Sequence, residues 1–267
     1  MIHDQHCHTS YSLDSKASIK EYAKIANKYN TKYFVCTDHI EFDSLYNNQN
    51  WTVDYESLKQ DLKEIGQIYP NITPLLGIEI GYRKDHLDDM VKTINGEDFD
   101  VVNMSIHDNG IYDYYVRESF IEVGLTNMLD IYFNNIIDGL NTFTDFNVLS
   151  HFDYGFKTAY KIDDSLRIEQ FEDKVRQIFR KVIELDKTLE INLKVQFALK
   201  DTNHLQTWLK WYYEEGGRKL TISSDAHEIK FYEDYYQSVH EMIRKVKSIG
   251  FTNLCYFIKR KEYQYEI

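Results

Sequence analysis

With 267 residues, 43% of them hydrophobic, and only two prolines and eleven glycines to supply a linker, the chain is predicted to form one continuous domain, residues 1–267, with a substantial core. Its formal net charge of −12 argues against a broad nucleic-acid surface and favours a small-molecule partner. We expect a cytoplasmic protein with no membrane partner, because we find no signal peptide and no apolar run near the roughly 18 to 20 residues that span a bilayer.

Seven short segments rich in apolar, β-branched and aromatic residues predict strands. In chain order they are Ile2–His8, Tyr33–His39, Thr73–Tyr82, Phe99–Asp108, Phe146–Asp153, Leu189–Lys194 and Lys219–His227. After the last of them, Phe231–Ile249 predicts a helix, and Phe251–Ile258 predicts a short edge strand or an extended tail.

The segments between the predicted strands have the periodicity of helices. In the first of them, apolar residues recur three and four positions apart, as one buried helix face requires: Ile19, Tyr22, Ala23, Ala26 and Tyr29. Alternating strands and helices predict parallel strands with helical crossovers, in either a closed barrel or an open doubly wound sheet. Neither a GxGxxG fingerprint nor a Walker-type phosphate loop is present, so the sequence favours the barrel.

Potential metal ligands collect at the ends of the predicted strands. Six of the ten histidines are found there, namely His6, His8, His39, His107, His151 and His227. Acidic residues join them, namely Asp4, Asp38, Glu79, Asp153 and Asp225. Because the carboxyl ends of barrel strands converge on one mouth, this pattern predicts a shared metal site. Residues two apart in a strand face the same side, so the first two histidines are expected to reach one ion.

Glu79 lies in an apolar run, Leu75–Ile80, where an ionised carboxylate is costly unless it meets a cation. Its two oxygens would allow it to bridge two ions. Together the imidazole and carboxylate donors exceed what one four-coordinate zinc ion can use. We therefore predict two or three divalent ions of zinc, iron or manganese.

In order and spacing, these segments resemble the PHP (polymerase and histidinol phosphatase) family. The matching motifs are Asp4-x-His6-x-His8, Tyr11-Ser12-Leu13-Asp14-Ser15, Thr37-Asp38-His39, Gly77-Ile78-Glu79, Ser105-Ile106-His107, Ser150-His151-Phe152-Asp153 and Ser224-Asp225-Ala226-His227. Within the family, the chain is most similar to the monofunctional histidinol-phosphate phosphatases. The resemblance implies an α/β fold, a distorted seven-stranded (β/α)7 TIM-like barrel, with a trinuclear metal centre.

The resemblance also implies how the ligands are distributed. The first ion would take His6, His8, Glu79 and Asp225; the second Glu79, His107 and His151; and the third Asp14, His39 and His227. Some relatives have histidine where Asp14 stands, and either residue type can donate to a metal. Asp38 is expected to orient a histidine ligand.

The implied reaction is hydrolysis of a small phosphate monoester, L-histidinol phosphate, to L-histidinol and phosphate in histidine biosynthesis. Glu79 and Asp225 would serve catalysis together with the ions, and Asp153 or an ion-bound water would protonate the leaving alkoxide. The family's histidinol phosphatases hold the phosphate with arginines near the fifth and sixth strands. In this sequence the candidate substrate-binding residues are Lys157, Lys194, Arg83 and Arg117.

Three alternatives remain open at this point. Another PHP-type phosphoesterase would act on phosphotyrosine, a nucleotide or a nucleic-acid end. An amidohydrolase-like metal barrel also begins with HxH and ends in aspartate, although no strand here offers the carboxylatable lysine that such sites often use. A metal-binding accessory module without activity is the third, and intact ligands at every motif argue against it. The sequence does not indicate an oligomeric state.

Overall fold

The centre of the molecule is a mostly parallel β-sheet. The computed structural model describes residues 3–199 and 203–267. Within those residues the sheet has eight strands, β1 (Tyr33–Cys36), β2 (His39–Ser44), β3 (Gln49–Trp51), β4 (Thr73–Gly81), β5 (Val101–Ser105), β6 (Val148–Leu149), β7 (Thr188–Asn192) and β8 (Leu220–Ser223). Their order is β3-β2-β4-β5-β6-β7-β8, and β1 pairs with the first half of β4. Among the described strands of this sheet, only β2 and β3 pair antiparallel.

Helices connect most of these strands, so the fold is α/β. In the described residues they are α1 (Ile19–Lys28), α2 (Tyr55–Ile68), α3 (Leu87–Asn95), α4 (Arg117–Val123), α5 (Leu125–Thr142), α6 (Tyr154–Tyr160), α7 (Glu172–Glu184), α8 (Leu193–Ala198), α9 (His204–Glu214) and α10 (Ile229–Ile249). Short 3₁₀ turns occupy Lys84–His86 and Ile168–Phe171. No helix in this part of the chain is both long enough and apolar enough to cross a membrane.

Sequence pattern explains these elements. Strands β5, β7 and β8 are buried along their whole length, as expected for parallel strands covered on both faces. Helix α7 buries Val175, Ile178, Phe179 and Val182, a spacing that gives a helix one apolar face. The buried face predicted for α1 is confirmed for Ile19, Tyr22, Ala23 and Ala26.

The predicted first strand, Ile2–His8, is corrected by the structure. Ile2 lies outside the described residues, and from His3 onward the segment forms a single bridge rather than a regular strand. It nevertheless hydrogen-bonds on both sides. The Thr37 amide donates to the Cys7 carbonyl at 2.9 Å, while the Asp225 amide donates to the His6 carbonyl at 2.8 Å. The segment therefore lies between the end of β1 and the end of β8.

The predicted strand Tyr33–His39 is divided at Thr37 and Asp38. The Asp38 carboxylate accepts hydrogen bonds from the Thr9 amide, the Thr9 hydroxyl and the Ser12 hydroxyl, which tie this point to the amino-terminal loop. His39 consequently begins β2, which turns back as a hairpin with β3. This hairpin adds two unpredicted strands, and the first predicted strand is not part of the sheet, so the sheet has eight strands instead of seven.

The remaining strands lie where the sequence predicts them, but most are shorter. Strand β6 is only two residues long because the chain leaves the sheet just before His151. Helix α10 confirms the helix predicted at Phe231–Ile249. The predicted edge strand in Phe251–Ile258 is β9 (Asn253–Ile258), which pairs antiparallel with an unpredicted strand, β10 (Lys261–Glu266).

Candidate metal centre

Glu79, in the carboxyl-terminal half of β4, is the centre of the site. It is fully buried and is paired in register with His39 of β2 and Asn103 of β5. Its Oε2 atom lies 3.1 Å from His6 Nε2, 3.3 Å from His8 Nε2 and 2.9 Å from His39 Nδ1. Three imidazole nitrogens thus converge on one carboxylate oxygen.

That oxygen forms no hydrogen bond within the described residues, despite being buried. Buried polar atoms are normally satisfied, and an ionised carboxylate without a partner is costly. A divalent cation between Glu79 and the imidazoles would satisfy the carboxylate and the nitrogen lone pairs together. The donors therefore fit a metal ion, and mixed imidazole and carboxylate donors suit zinc, iron or manganese.

The second oxygen of Glu79 faces another pair of histidines. Its Oε1 atom lies 2.8 Å from His151 Nε2 and 3.5 Å from His107 Nε2. These histidines follow β6 and β5, so they come from neighbouring strands. Glu79 lies between two groups of nitrogen donors, as its predicted bridging role requires.

Asp14 and His227 form the outer part of the cluster. The Asp14 Oδ2 atom lies 2.9 Å from His227 Nε2 and 3.7 Å from His39 Nε2. The His8 ring packs against both the His39 and His227 rings, with centroid distances of 4.1 and 4.2 Å. His39 thus turns Nε2 toward Asp14 and Nδ1 toward Glu79.

Asp225 closes the cluster from the end of β8. Its Oδ1 atom lies 3.3 Å from His8 Nε2, and Asn192 Nδ2 donates a hydrogen bond to Oδ2 at 3.2 Å. Asp225 has a φ of 53°, a left-handed conformation that is uncommon for residues other than glycine. Backbone strain of this kind often occurs at functional sites, and here it lies between β8 and His227.

Four groups of donor atoms each lie within 4.8 Å of one another: His8, His39 and His227; His6, Glu79 and His151; His6, His8 and Asp225; and His39, Glu79 and His107. Every predicted ligand thus lies in the cluster, either in one of these groups or, for Asp14, against His227. Burial alone would raise the pKa of Glu79. The positive charges of the surrounding imidazoles, His6 first, instead hold this pKa well below its usual range.

Comparison with known proteins agrees with this geometry. The family model described as the PHP domain matches residues 4–194, more than half of the chain. The protein belongs to the PHP family.

Several curated PHP relatives cover nearly the same length. A probable histidinol-phosphatase of Clostridium acetobutylicum is 28% identical over 231 residues, which is 85% of this chain and 87% of that protein. The histidinol-phosphatase of Lactococcus lactis is 22% identical, over 95% of this chain and 93% of its own.

Two solved structures have the same fold. The Lactococcus lactis histidinol phosphate phosphatase, described as complexed with zinc, L-histidinol and phosphate, superposes with a TM-score of 0.87 at 21% identity, covering 97% of this chain and 98% of that one. A structure described as a putative histidinol phosphatase from Listeria monocytogenes gives a TM-score of 0.73 at 15% identity, covering 88% and 98%.

A cavity of about 300 Å³ opens beside the cluster of predicted metal ligands. Its lining includes two lysines, Lys157 and Lys194, and two aspartates on the loop after β5, Asp108 and Asp113. Aromatic side chains, including Trp51, also line the cavity. The cavity therefore has both cationic and anionic side chains next to the predicted metal ligands.

The two lysines are held differently. Lys157 is 4% exposed, and its Nζ atom lies 4.0 Å from the centre of the Tyr154 ring. Burial first, and then the nearby Lys194 ammonium, lower the pKa of Lys157 to about 7. Lys194 is partly exposed, with Nζ 3.0 Å from His227 Nδ1 and 3.5 Å from Asp225 Oδ1. The lysines bring positive charge to the edge of the cluster.

The other predicted site residues lie elsewhere. Arg83 bonds Asp85 and Asp108, at 2.8 and 3.1 Å. Arg117 is exposed at the start of α4. Neither arginine, nor Asp153, is among the described residues that line the cavity. The Asp153 Oδ2 atom instead accepts a hydrogen bond from Gln196 Nε2 at 2.9 Å. This position does not support the predicted role of Asp153 as a proton donor.

Glu190 is a site residue that sequence reasoning missed. Its Oε1 atom lies 2.8 Å from His6 Nδ1, and its Oε2 atom accepts a hydrogen bond from the His151 amide at 2.8 Å. Carboxylates that hold the second nitrogen of a ligand histidine fix its tautomer and orientation. A signal was available, because Glu190, like Glu79, is an acidic residue inside an apolar strand.

The predicted orienting role of Asp38 is indirect. Its carboxylate fixes the Ser12 hydroxyl, whose Oγ atom lies 3.3 Å from His8 Nδ1. The Ser12 hydroxyl also accepts a hydrogen bond from the His39 amide at 2.9 Å. Asp38 thus supports two predicted ligands through Ser12 rather than by direct contact.

Proposed function

We propose that this PHP protein is a phosphatase that hydrolyses L-histidinol phosphate to L-histidinol and phosphate in histidine biosynthesis, with two or three divalent ions of zinc, iron or manganese. The observation that carries the proposal is the buried Glu79 carboxylate, whose two oxygens face separate groups of imidazole donors beside a lysine-lined cavity. The relatives named histidinol-phosphatase support the substrate.

The proposed ligands are those that the sequence predicts. One ion would be held by His6, His8, Glu79 and Asp225, a second by Glu79, His107 and His151, and a third by Asp14, His39 and His227. When bound, such ions supply an activated water near neutral pH and neutralise charge on the phosphoryl group.

Residues of the cavity would bind the substrate at its two charged ends. Lys157 and Lys194 would bind the outer phosphate oxygens, although a lysine is a point charge rather than the planar fork of an arginine. At the other end, Asp113 faces the cavity and would bind the substrate ammonium. Its Oδ1 atom accepts the Tyr115 amide at 2.7 Å, while Asp108 is already bonded to Arg83. Burial raises the pKa of both aspartates.

We further infer that the sheet closes as a distorted barrel through the segment from His6 to His8. The hydrogen bonds from this segment to Thr37 and Asp225 support that inference. A single domain over residues 1–267 and a cytoplasmic location remain part of the proposal.

The first test is phosphate release by the metal-supplemented protein. L-Histidinol phosphate is compared with an aryl phosphate, phosphotyrosine and a nucleotide on the scale of kcat/KM. A preference of several orders of magnitude for L-histidinol phosphate supports the proposal. Turnover that is comparable among these substrates, or greatest for another one, would reassign the substrate within the PHP phosphoesterases.

A second test addresses the metal centre. His107→Ala and Asp225→Ala are expected to abolish hydrolysis of every substrate while the circular dichroism spectrum stays that of a folded protein. The matched control is His86→Ala, because His86 lies outside the cavity and pairs with Asp89 on the surface. Retained turnover in the first two variants would contradict the ligand assignment.

A further inference from the structure

Glu41 is a buried carboxylate that none of the predicted ligand sets includes. It lies in β2, two residues after His39, is 5% exposed and lines the cavity. Its Oε1 atom lies 2.6 Å from His107 Nδ1 and 3.4 Å from His39 Nδ1. The contact with His107 is a short, charge-assisted hydrogen bond, in which the histidine donates.

This hydrogen bond determines which nitrogen of His107 faces the metal cluster. With a proton on Nδ1 directed to Glu41, the Nε2 lone pair points toward Glu79 Oε1, which lies 3.5 Å away. The Ser105 hydroxyl also lies near Nδ1, but at 3.5 Å it is a much weaker partner. Glu41 is therefore the group that fixes the tautomer and the rotation of the ring.

Gly81, the last residue of β4, leaves the space that the Glu41 carboxylate occupies. A Cβ atom built at position 81 would lie 1.8 Å from Glu41 Oε2 and 2.6 Å from Glu41 Cδ. Such contacts are far inside van der Waals distance, so any side chain at this position must displace the carboxylate. The absence of a side chain at Gly81 and the position of Glu41 therefore depend on each other.

We propose that Glu41 is a positioning residue that acts through His107 and that Gly81 is required because it leaves room for the Glu41 carboxylate. The inference rests on the proposed function, because it assumes that His107 binds a metal ion. Carboxylates that orient ligand histidines typically contribute about 10- to 100-fold to metal affinity or activity.

The experiment combines substitutions in a double-mutant cycle. Glu41→Ala, Gly81→Ala and the double variant are loaded with zinc. Bound zinc per chain is measured, followed by zinc affinity against a competing chelator and by kcat and KM for an aryl phosphate. Gly66→Ala is the matched glycine control, because a Cβ atom there would lie 3.4 Å from its nearest neighbour, in Pro74.

Glu41→Ala is expected to weaken zinc binding and to lower kcat by about 10- to 100-fold, with little change in KM. Gly81→Ala alone is expected to lower zinc affinity and kcat by a similar factor. Added to Glu41→Ala, it is expected to cause less than about a twofold further loss, because the carboxylate that it would displace is already absent. Equal losses from Gly81→Ala in both backgrounds, or normal zinc affinity in Glu41→Ala, would overturn the proposal.

Glu41→Gln separates positioning from direct coordination and also serves if Glu41→Ala does not fold. The glutamine carbonyl oxygen accepts a hydrogen bond from His107, so this variant is expected to recover part of the zinc affinity and of kcat. A loss from Glu41→Gln as large as that from Glu41→Ala would make Glu41 a metal ligand instead. If the wild-type protein binds zinc but releases no phosphate from any ester, the proposed function fails, while the zinc measurements still decide the role of Glu41.

Discussion

Lys157 provides a prediction in which pH reports on phosphate binding. Because its pKa is lowered to about 7, its charge changes within the range where the enzyme is assayed. A group with such a pKa is about 90% protonated at pH 6, half protonated at pH 7 and about 3% protonated at pH 8.5. If the phosphate binds to the Lys157 ammonium, this loss lowers kcat/KM by roughly 30-fold between pH 6 and pH 8.5.

Lys157→Arg isolates this effect, because the arginine side chain keeps its charge over the whole range. The assay measures phosphate release from L-histidinol phosphate for both proteins. Ionisation of the substrate, which both proteins share, cancels from the ratio of wild-type to variant kcat/KM. Whatever the activity of the variant, we expect this ratio to fall by about 30-fold from pH 6 to pH 8.5.

A ratio that does not change with pH would refute the reasoning, since Lys157 would then not bind the phosphate as an ammonium. Cations bound near Lys157 would lower its pKa further, so the fall would move to lower pH without changing direction. The matched control is Lys174→Arg. Lys174 hydrogen-bonds Asn134 on the surface, and this substitution is expected to leave the ratio constant at all pH values.

Three further outcomes are expected. Asp113→Asn should raise KM for L-histidinol phosphate by about 10-fold but change kcat/KM for an aryl phosphate by less than about twofold, because only the first substrate has an ammonium. Equal effects on both substrates would exclude ammonium binding by Asp113. Removal of metal with a chelator should lower the Tm, and zinc should restore it, because a ligand of the native state stabilises that state; an unchanged Tm would argue against a buried metal centre. Glu190→Gln should weaken zinc binding by about 10- to 100-fold, as measured by chelator competition, because the Glu190 carboxylate orients His6. Wild-type zinc affinity in this variant would show that His6 does not depend on the Glu190 carboxylate.

Much of the candidate site could be predicted from the local sequence. An apolar strand segment comes directly before each of three histidines, His107, His151 and His227, and parallel strands bring such positions to one edge of a sheet. Glu79 lies within an apolar strand, and burying an unpaired carboxylate there is costly, so this residue predicted a cation beside it. These signals depend only on nearby residues, which is why sequence reasoning found them.

Sequence reasoning anticipated the supporting role of Asp38 but missed two other carboxylates that support the ligands, Glu41 and Glu190, although each had a local signal. Glu41 lies two residues after His39, so both side chains face the same side of β2. Glu190 lies inside the apolar strand β7. The neighbouring sequence does not show which histidine each carboxylate contacts, because Glu41 contacts His107 and Glu190 contacts His6 across large sequence separations.

The sequence by itself therefore determined the α/β alternation, the approximate position of most strands and the residues that could bind metal, because all of these follow from periodicity and residue type. Only the tertiary structure decided that the chain divides at Asp38 to form an extra hairpin, that Asp153 bonds Gln196 rather than lining the cavity, and that Gly81 leaves space for a carboxylate. Those features depend on which side chains meet when distant strands pack side by side, and a linear pattern does not contain that information.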